Sequence, residues 1–237
     1  ECKGTFTDPG ATATDSCDAN VMVEVSGSVY TDIVGEYTLT YTATDASGNT
    51  ATATRTVQVV DQTAPVITVE AEELNVDCGD IFGVPSALVS DLCEGNTTVL
   101  ASAIYEVIDE NTEQKVESID TTVVGKRYRV HYEAEDSEGN QAEAADMFVN
   151  IVDTKPPVIT VVGANPLLVE CKGTFTDPGA TATDGCDGAV QVSSDWDTVV
   201  DVNTVRTYTV TYTAVDASGN TATTTRTVQV VDTKPPV

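Results

Sequence analysis

The chain repeats itself, and self-similarity along a chain is the signature of a repeat architecture. Glu1 to Asp18 (ECKGTFTDPGATATDSCD) matches Glu170 to Asp187 (ECKGTFTDPGATATDGCD) at 17 of 18 positions, and Tyr37 to Asp61 matches Tyr208 to Asp232 at 22 of 25. A diverged middle copy lies between them, marked by Asp77-Cys78-Gly79, Asp91-Leu92-Cys93, Tyr128 to Asn140 and Val149 to Asp153. The copies divide the chain into residues 1–61, 62–153 and 154–232, with 233–237 opening a further copy. The third copy carries a segment, Ile159 to Val169, with no counterpart in the first, so the first copy is expected to lack its first strand. The plain reading is a window onto a longer array. The sharper reading has a neighbouring molecule supply the strand by β-strand addition.

Within a copy the hydrophobic period is two. Tyr37, Leu39, Tyr41 and Ala43 fall on one face and threonines on the other, the alternation of a half-buried antiparallel strand. Ala46 to Asn49 forms a tight turn in which Gly48 can take positive φ, and Thr50 to Val60 returns as the hairpin partner. Asp8-Pro9-Gly10 carries the signature of a type II turn. With four Phe, one Trp and two Met, the cores must be filled by small β-formers, chiefly Val and Thr, which favours strands over helices. Copies of roughly 80 to 90 residues with turn signals at this spacing predict an all-β fold of tandem Ig-like antiparallel β-sandwiches. The short linker Thr154-Lys155-Pro156-Pro157 restricts φ and predicts their arrangement as an elongated rod.

The run Gly10 to Asp15 (GATATD), the stretch Tyr41 to Asn49 (YTATDASGN) and the linker Asp153 to Thr160 (DTKPPVIT) resemble hyalin repeats. They are equally similar to the related Ig-like repeats of bacterial surface proteins. The resemblance covers the whole chain, more loosely in the middle copy. It implies an Ig-like fold in extracellular, adhesive or matrix proteins, with no catalytic residues and no particular ligand.

Six cysteines fall as three pairs at the same spacing. In the first copy Pro9-Gly10 sits midway, and a hairpin folded there would bring the pair together. The expectation is one disulfide per copy: Cys2–Cys17, Cys78–Cys93 and Cys171–Cys186. Each would contribute about 3 kcal/mol in the chain-entropy model. Zinc held by thiolates is the alternative. Zinc sites usually show closely spaced Cys pairs with His partners, and His131 is the one histidine. Disulfides place the protein in an oxidising compartment, outside the cytosol, and with the resemblance the expected location is extracellular or at the cell surface.

Charge excludes other classes. With 38 acidic against 11 basic residues and a net charge of −27, the surface repels nucleic acid and anionic lipid and attracts divalent cations. No apolar run approaches the roughly 18 residues of a membrane-spanning helix, so no membrane insertion is expected. There is no Gly-x-Ser-x-Gly elbow, phosphate loop or His-Glu-x-x-His, and His131 lies in an alternating strand, so the chain is not read as an enzyme. The sequon Asn96-Thr97-Thr98 is read as chance.

The acidic residues recur at fixed places. Asp15 and Asp18, Asp91 and Glu94, and Asp184 and Asp187 follow the second strand of each copy; Asp45, Asp136 and Asp216 open the last hairpin turn; Asp61, Asp153 and Asp232 close each copy. In an Ig-like sandwich the first two places share the end at which the preceding copy arrives. Asp61 should therefore approach Asp91, Glu94 and Asp136, and Asp153 should approach Asp184, Asp187 and Asp216. Calcium takes six to eight oxygens in irregular geometry and suits such clusters, where it would stiffen the junctions. The simpler reading is that these aspartates cap their own turns. The leading function is a structural array, a segment of a cell-surface stalk, fibre or matrix filament that self-associates or continues into further repeats. The alternatives are a calcium-dependent adhesin binding a glycan or protein through the middle copy, with Tyr105 and Phe82 as candidate contacts, and an accessory module of a larger secreted enzyme.

Overall fold

The computed structural model describes residues 1–236. The first copy forms β1 (Met22–Ser26), β2 (Gly35–Thr44) and β3 (Thr50–Val59). The middle copy forms β4 (Val66–Thr68), β5 (Glu73–Asp77), β6 (Ala87–Asp91), β7 (Gly95–Val99), β8 (Ala103–Asp109), β9 (Thr112–Val116), β10 (Arg127–Tyr132) and β11 (Ala145–Val152). The third forms β12 (Val158–Val161), β13 (Leu167–Glu170), β14 (Ala180–Asp184), β15 (Gly188–Val190), β16 (Val192–Ser194), a single helical turn α1 (Trp196–Val199), β17 (Thr207–Val215) and β18 (Thr221–Val231). The fold is all-β, as the periodicity requires.

The chain divides into two compact units. One comprises Glu1–Glu72, Val84–Ala103 and Val130–Met147; the other comprises Glu73–Gly83, Ile104–Arg129 and the chain from Phe148 on. The first unit holds the sheets β1-β2-β3 and β4-β6-β7. The second holds β12-β14-β15 and β13-β18-β17-β16. A further five-stranded sheet has the order β5-β11-β10-β8-β9.

The third copy shows the sandwich in full. Tyr208, Val210, Tyr212 and Ala214 alternate inward along β17, with Val228 and Val230 inward from β18 and Val169 from β13. Ile159, Val161 and Ala180 of the facing sheet close over them, and Trp196 on α1 packs edge-on against Phe175 at 5.7 Å. Each fully buried valine of this kind contributes about 1.5–3 kcal/mol. The β17–β18 hairpin turns where the first copy's β2–β3 hairpin turns, at Gly219 (φ +89°) and Gly48 (φ +84°), the positive φ that makes glycine the fitting residue. Leu39 and Tyr41 are buried on the face expected of β2.

One expectation is corrected. The cysteines do not pair within copies: Cys2 bonds Cys93 and Cys78 bonds Cys186, with Cα–Cα distances of 5.8 and 5.6 Å, while Cys17 and Cys171 are free. The expected Cys2–Cys17, Cys78–Cys93 and Cys171–Cys186 bonds are absent for a topological reason. β13 pairs with β18, whereas β14 pairs with β12 in the other sheet. The turn at Gly179 (φ +79°) therefore carries the chain from one sheet to the other and does not fold a hairpin. Cys171 leaves one sheet at the copy's exit, and Cys186 follows the last residue of β14 at the copy's entry. A crossover leaves the equally spaced cysteines of one copy at opposite ends, out of each other's reach, and Cys2 and Cys78 bond instead to Cys93 and Cys186 of the following copies.

Candidate cation sites and staples at the repeat junctions

Each junction is built from the same three local structures, and each lies inside one compact unit. The first is an Asx turn after the second strand. Asp91 Oδ1 accepts the amides of Cys93 (2.7 Å) and Glu94 (2.9 Å), and Asp184 Oδ1 accepts those of Cys186 (2.7 Å) and Asp187 (3.1 Å). The second is the last hairpin turn, where Asp136 accepts the Asn140 amide at 2.8 Å and Asp216 accepts the Asn220 amide at 2.7 Å. The third is the arriving end of the previous copy. Asn140 Nδ2 donates to the Asp61 carbonyl and Asn220 Nδ2 to the Asp153 carbonyl, both at 3.2 Å. The two asparagines thus tie one copy's turn to the other copy's last residue, a role that sequence reasoning missed although both stand in the recurring Gly-Asn of the turn.

These parts bring carboxylates together. One oxygen each of Asp61, Asp91 and Asp136 lies within 4.8 Å of the others, and the same holds for Asp153, Asp187 and Asp216. Asp184 reaches Asp153 in a further group that includes Cys186. Glu94 stands outside these groups; its Oε1 instead accepts the Ser137 amide at 2.7 Å, as Asp187 Oδ2 accepts that of Ala217 at 2.6 Å. Glu1 adds a carboxylate near Asp61 and Cys93 that the sequence did not single out. Cys93 and Cys186 are disulfide-bonded, so neither offers a thiolate, and the ligand sets are carboxylate oxygens alone. Such sets suit a hard cation such as calcium and do not suit zinc.

Turn capping accounts for only part of this arrangement. Asp61, Asp136 and Asp216 are buried. Asp61 Oδ2, Asp91 Oδ2 and Asp153 Oδ2 are enclosed with no hydrogen-bond partner. A buried polar atom without a partner costs about 1–3 kcal/mol, more when charged. Two unit charges about 5 Å apart repel by about 3 kcal/mol at an effective dielectric constant of roughly 20. Burial pushes the Asp136 carboxyl up, but hydrogen bonds from Asn140, Glu138 and Gly139 outweigh it and hold its pKa below the ordinary value. The Cys186 amide does the same for Asp184. These two are held as anions against the cost of burial. A cation bridging the unpartnered oxygens would satisfy them and cancel the repulsion together.

The other residues considered for function lie apart from the junctions. His131 Nδ1 is 2.6 Å from Asp146 Oδ1, and Tyr105 is covered by the Arg129 guanidinium at 4.4 Å.

Fold and junctions together define a class: tandem Ig-like β-sandwich repeats with acidic, disulfide-stapled joints. The profile of the family described as bacterial surface protein, Ig-like domain matches residues 2–59 and 159–230, more than half of the chain, and the chain belongs to that family. It is also similar to hyalin of Strongylocentrotus purpuratus, 33% identical over 258 residues that cover 98% of this chain and 19% of the hyalin. Hyalin of Lytechinus variegatus is 35% identical over 244 residues, with 98% and 43% covered. The chain spans less than half the length of these relatives. Among solved structures, human CDH23 EC21-23 is matched at a TM-score of 0.37 and 16% identity, covering 85% of this chain and 76% of that one. The protocadherin gammaB7 EC3-6 structure is matched at 0.36 and 15%, covering 90% and 67%. At such scores nothing further follows from them.

Proposed function

We propose that this chain is a segment of a non-enzymatic extracellular array, a surface stalk, fibre or matrix filament, whose repeats 1–61, 62–153 and 154–232 are locked at their junctions by disulfides and calcium. The observation that carries the reading is the recurrence, at both junctions, of enclosed carboxylate oxygens without hydrogen-bond partners. Asp61, Asp91 and Asp136, with Glu94 nearby, would hold one ion; Asp153, Asp187 and Asp216, with Asp184, would hold the other. Water and backbone carbonyls would complete six to eight oxygens. An extracellular setting is supported by the family and by the disulfides, which persist in oxidising compartments.

Calorimetric melting with calcium and with a chelator tests the reading. Calcium at 100 times its dissociation constant stabilises by about 2.7 kcal/mol per site, which raises Tm by roughly 5–10 °C in a chain of this size. Asp61→Asn together with Asp153→Asn should abolish most of that shift. A Tm indifferent to chelation sinks the calcium reading.

An adhesin reading has less support, since of the two aromatic rings expected to face a ligand Tyr105 is already stacked under Arg129 and Phe82 is half-buried.

A further inference from the structure

We infer that Cys17 and Cys171 are the two halves of one more inter-repeat staple, and that each takes its partner from a further copy of this repeat. Each copy has one equivalent cysteine at its exit, Cys2, Cys78 and Cys171, and the first two are bonded. The Cys2 amide donates to the Val60 carbonyl, that of Cys78 to Val152 and that of Cys171 to Val231, at 2.8, 2.7 and 2.7 Å. Three others stand at the entry. The amides of Cys17, Cys93 and Cys186 each donate to the Oδ1 of the aspartate two residues earlier, each at 2.7 Å. The bonds join exit to next entry: Cys2 to Cys93 and Cys78 to Cys186. The rule leaves the exit cysteine Cys171 and the entry cysteine Cys17 free, and Cys17 is exposed.

The path of the linker supplies independent support. At each exit the residue before the cysteine holds the first residues of the linker: Glu1 accepts the Gln62 amide at 3.2 Å and Glu170 the Thr233 amide at 3.1 Å, while Asp77 accepts the Thr154 amide at 2.8 Å. The chain therefore starts out of the third copy through the same backbone tie as it does from the first two. The entry side is equally ready. Asp18 Oδ2 accepts the Ala46 amide at 2.9 Å and Asp45 accepts the Asn49 amide at 2.8 Å, the same ties that shape the two completed junctions.

In solution the available partner is a second copy of this chain, joined head to tail through Cys171 and Cys17. The step is thiol–disulfide exchange with a small disulfide such as oxidised glutathione. The two cysteine thiols become one disulfide, and the glutathione disulfide is reduced to two thiols, which take up the protons. The proposal deepens the array reading and does not depend on calcium.

The test uses the full chain. Cys17→Ser and Cys171→Ser variants, checked for folding by circular dichroism, are mixed at equal concentration in oxidised glutathione with a chelator and mapped by mass spectrometry. The expected product is the mixed dimer linked Cys171 to Cys17, exceeding either homodimer by about tenfold against the roughly twofold excess of random pairing. The wild-type chain should give a ladder of head-to-tail oligomers carrying the same link. Random pairing overturns the proposal, as does a wild-type map with Cys2–Cys17 or Cys171–Cys186 inside one chain. Those outcomes leave the melting shift with calcium standing as its own test, and loss of that shift leaves the staple standing.

Discussion

At the scale of the residue, a buried charge separates the copies more sharply than any apolar position. Arg226 is fully enclosed in the third copy, 3.3 Å from Asp177, whose Oδ1 also accepts the Tyr212 hydroxyl at 2.6 Å. The first copy repeats the trio as Arg55, Asp8 and Tyr41, with Arg55 about a third exposed because no second sheet covers β2 and β3. In the middle copy Met147 stands four residues before Ile151, as Arg226 stands four before Val230, and the Tyr132 hydroxyl donates instead to the Pro85 carbonyl at 2.7 Å. Arg226→Met alone should destabilise by about 3–5 kcal/mol, since it strands the Asp177 carboxylate, and adding Asp177→Leu should recover most of the loss. Urea unfolding of the two variants checks both steps. A pH effect follows at the same scale. The Tyr41 hydrogen bond holds the Asp8 carboxyl below its ordinary value of 3.8, and Asp136 and Asp184 are lowered as well. Groups depressed on folding contribute stability that is present above the unfolded value and lost as pH falls through the folded one. The urea midpoint should hold from neutrality to about pH 4 and fall steeply below it.

At the scale of the element, identical sequence takes two forms. The string ATATD is strand β14 at Ala180–Asp184 and has no strand assignment at Ala11 to Asp15. β14 is held between β12 and β15, with Ala182 opposite Ile159 and Val190. No strand is described before Met22 for the first segment to pair with. A strand's stability resides in its partners more than in its own propensity. Ala182→Pro should therefore cost about 2–3 kcal/mol by breaking a ladder, whereas Ala13→Pro should cost less than about 1 kcal/mol. Chemical denaturation of the two variants in parallel reads the difference. Alternation, by contrast, was enough to place the hairpins β2–β3 and β17–β18 and their glycine turns, because a period of two with a single buried face leaves one register.

At the scale of the whole molecule, bonds that span 91 and 108 residues act on the coupling between copies and not on any copy by itself. In the chain-entropy model a loop of about 100 residues is worth about 4.7 kcal/mol. Arrays of repeats owe their cooperativity to such nearest-neighbour terms. With disulfides and calcium both in place, calorimetry should show copies melting together. Reduction combined with chelation should resolve separate transitions, the first copy melting at the lowest temperature because its core is open on one side.

What the sequence determined by itself was periodic or confined to turns: the inward residues of the long strands β2 and β17, their glycine turns, and the recurrence of aspartates at three fixed places. It also placed Asp61 with Asp91 and Asp136, because an Ig-like sandwich sets those places at one end. Tertiary structure alone decided the cysteine partners. Equal spacing is satisfied as well by a hairpin as by a crossover, and only the assignment of β13 and β14 to opposite sheets sends the two cysteines of one copy to opposite ends. It alone decided which carboxylate oxygens are enclosed, since that depends on atoms contributed by two copies at once, and no single copy's sequence holds that information.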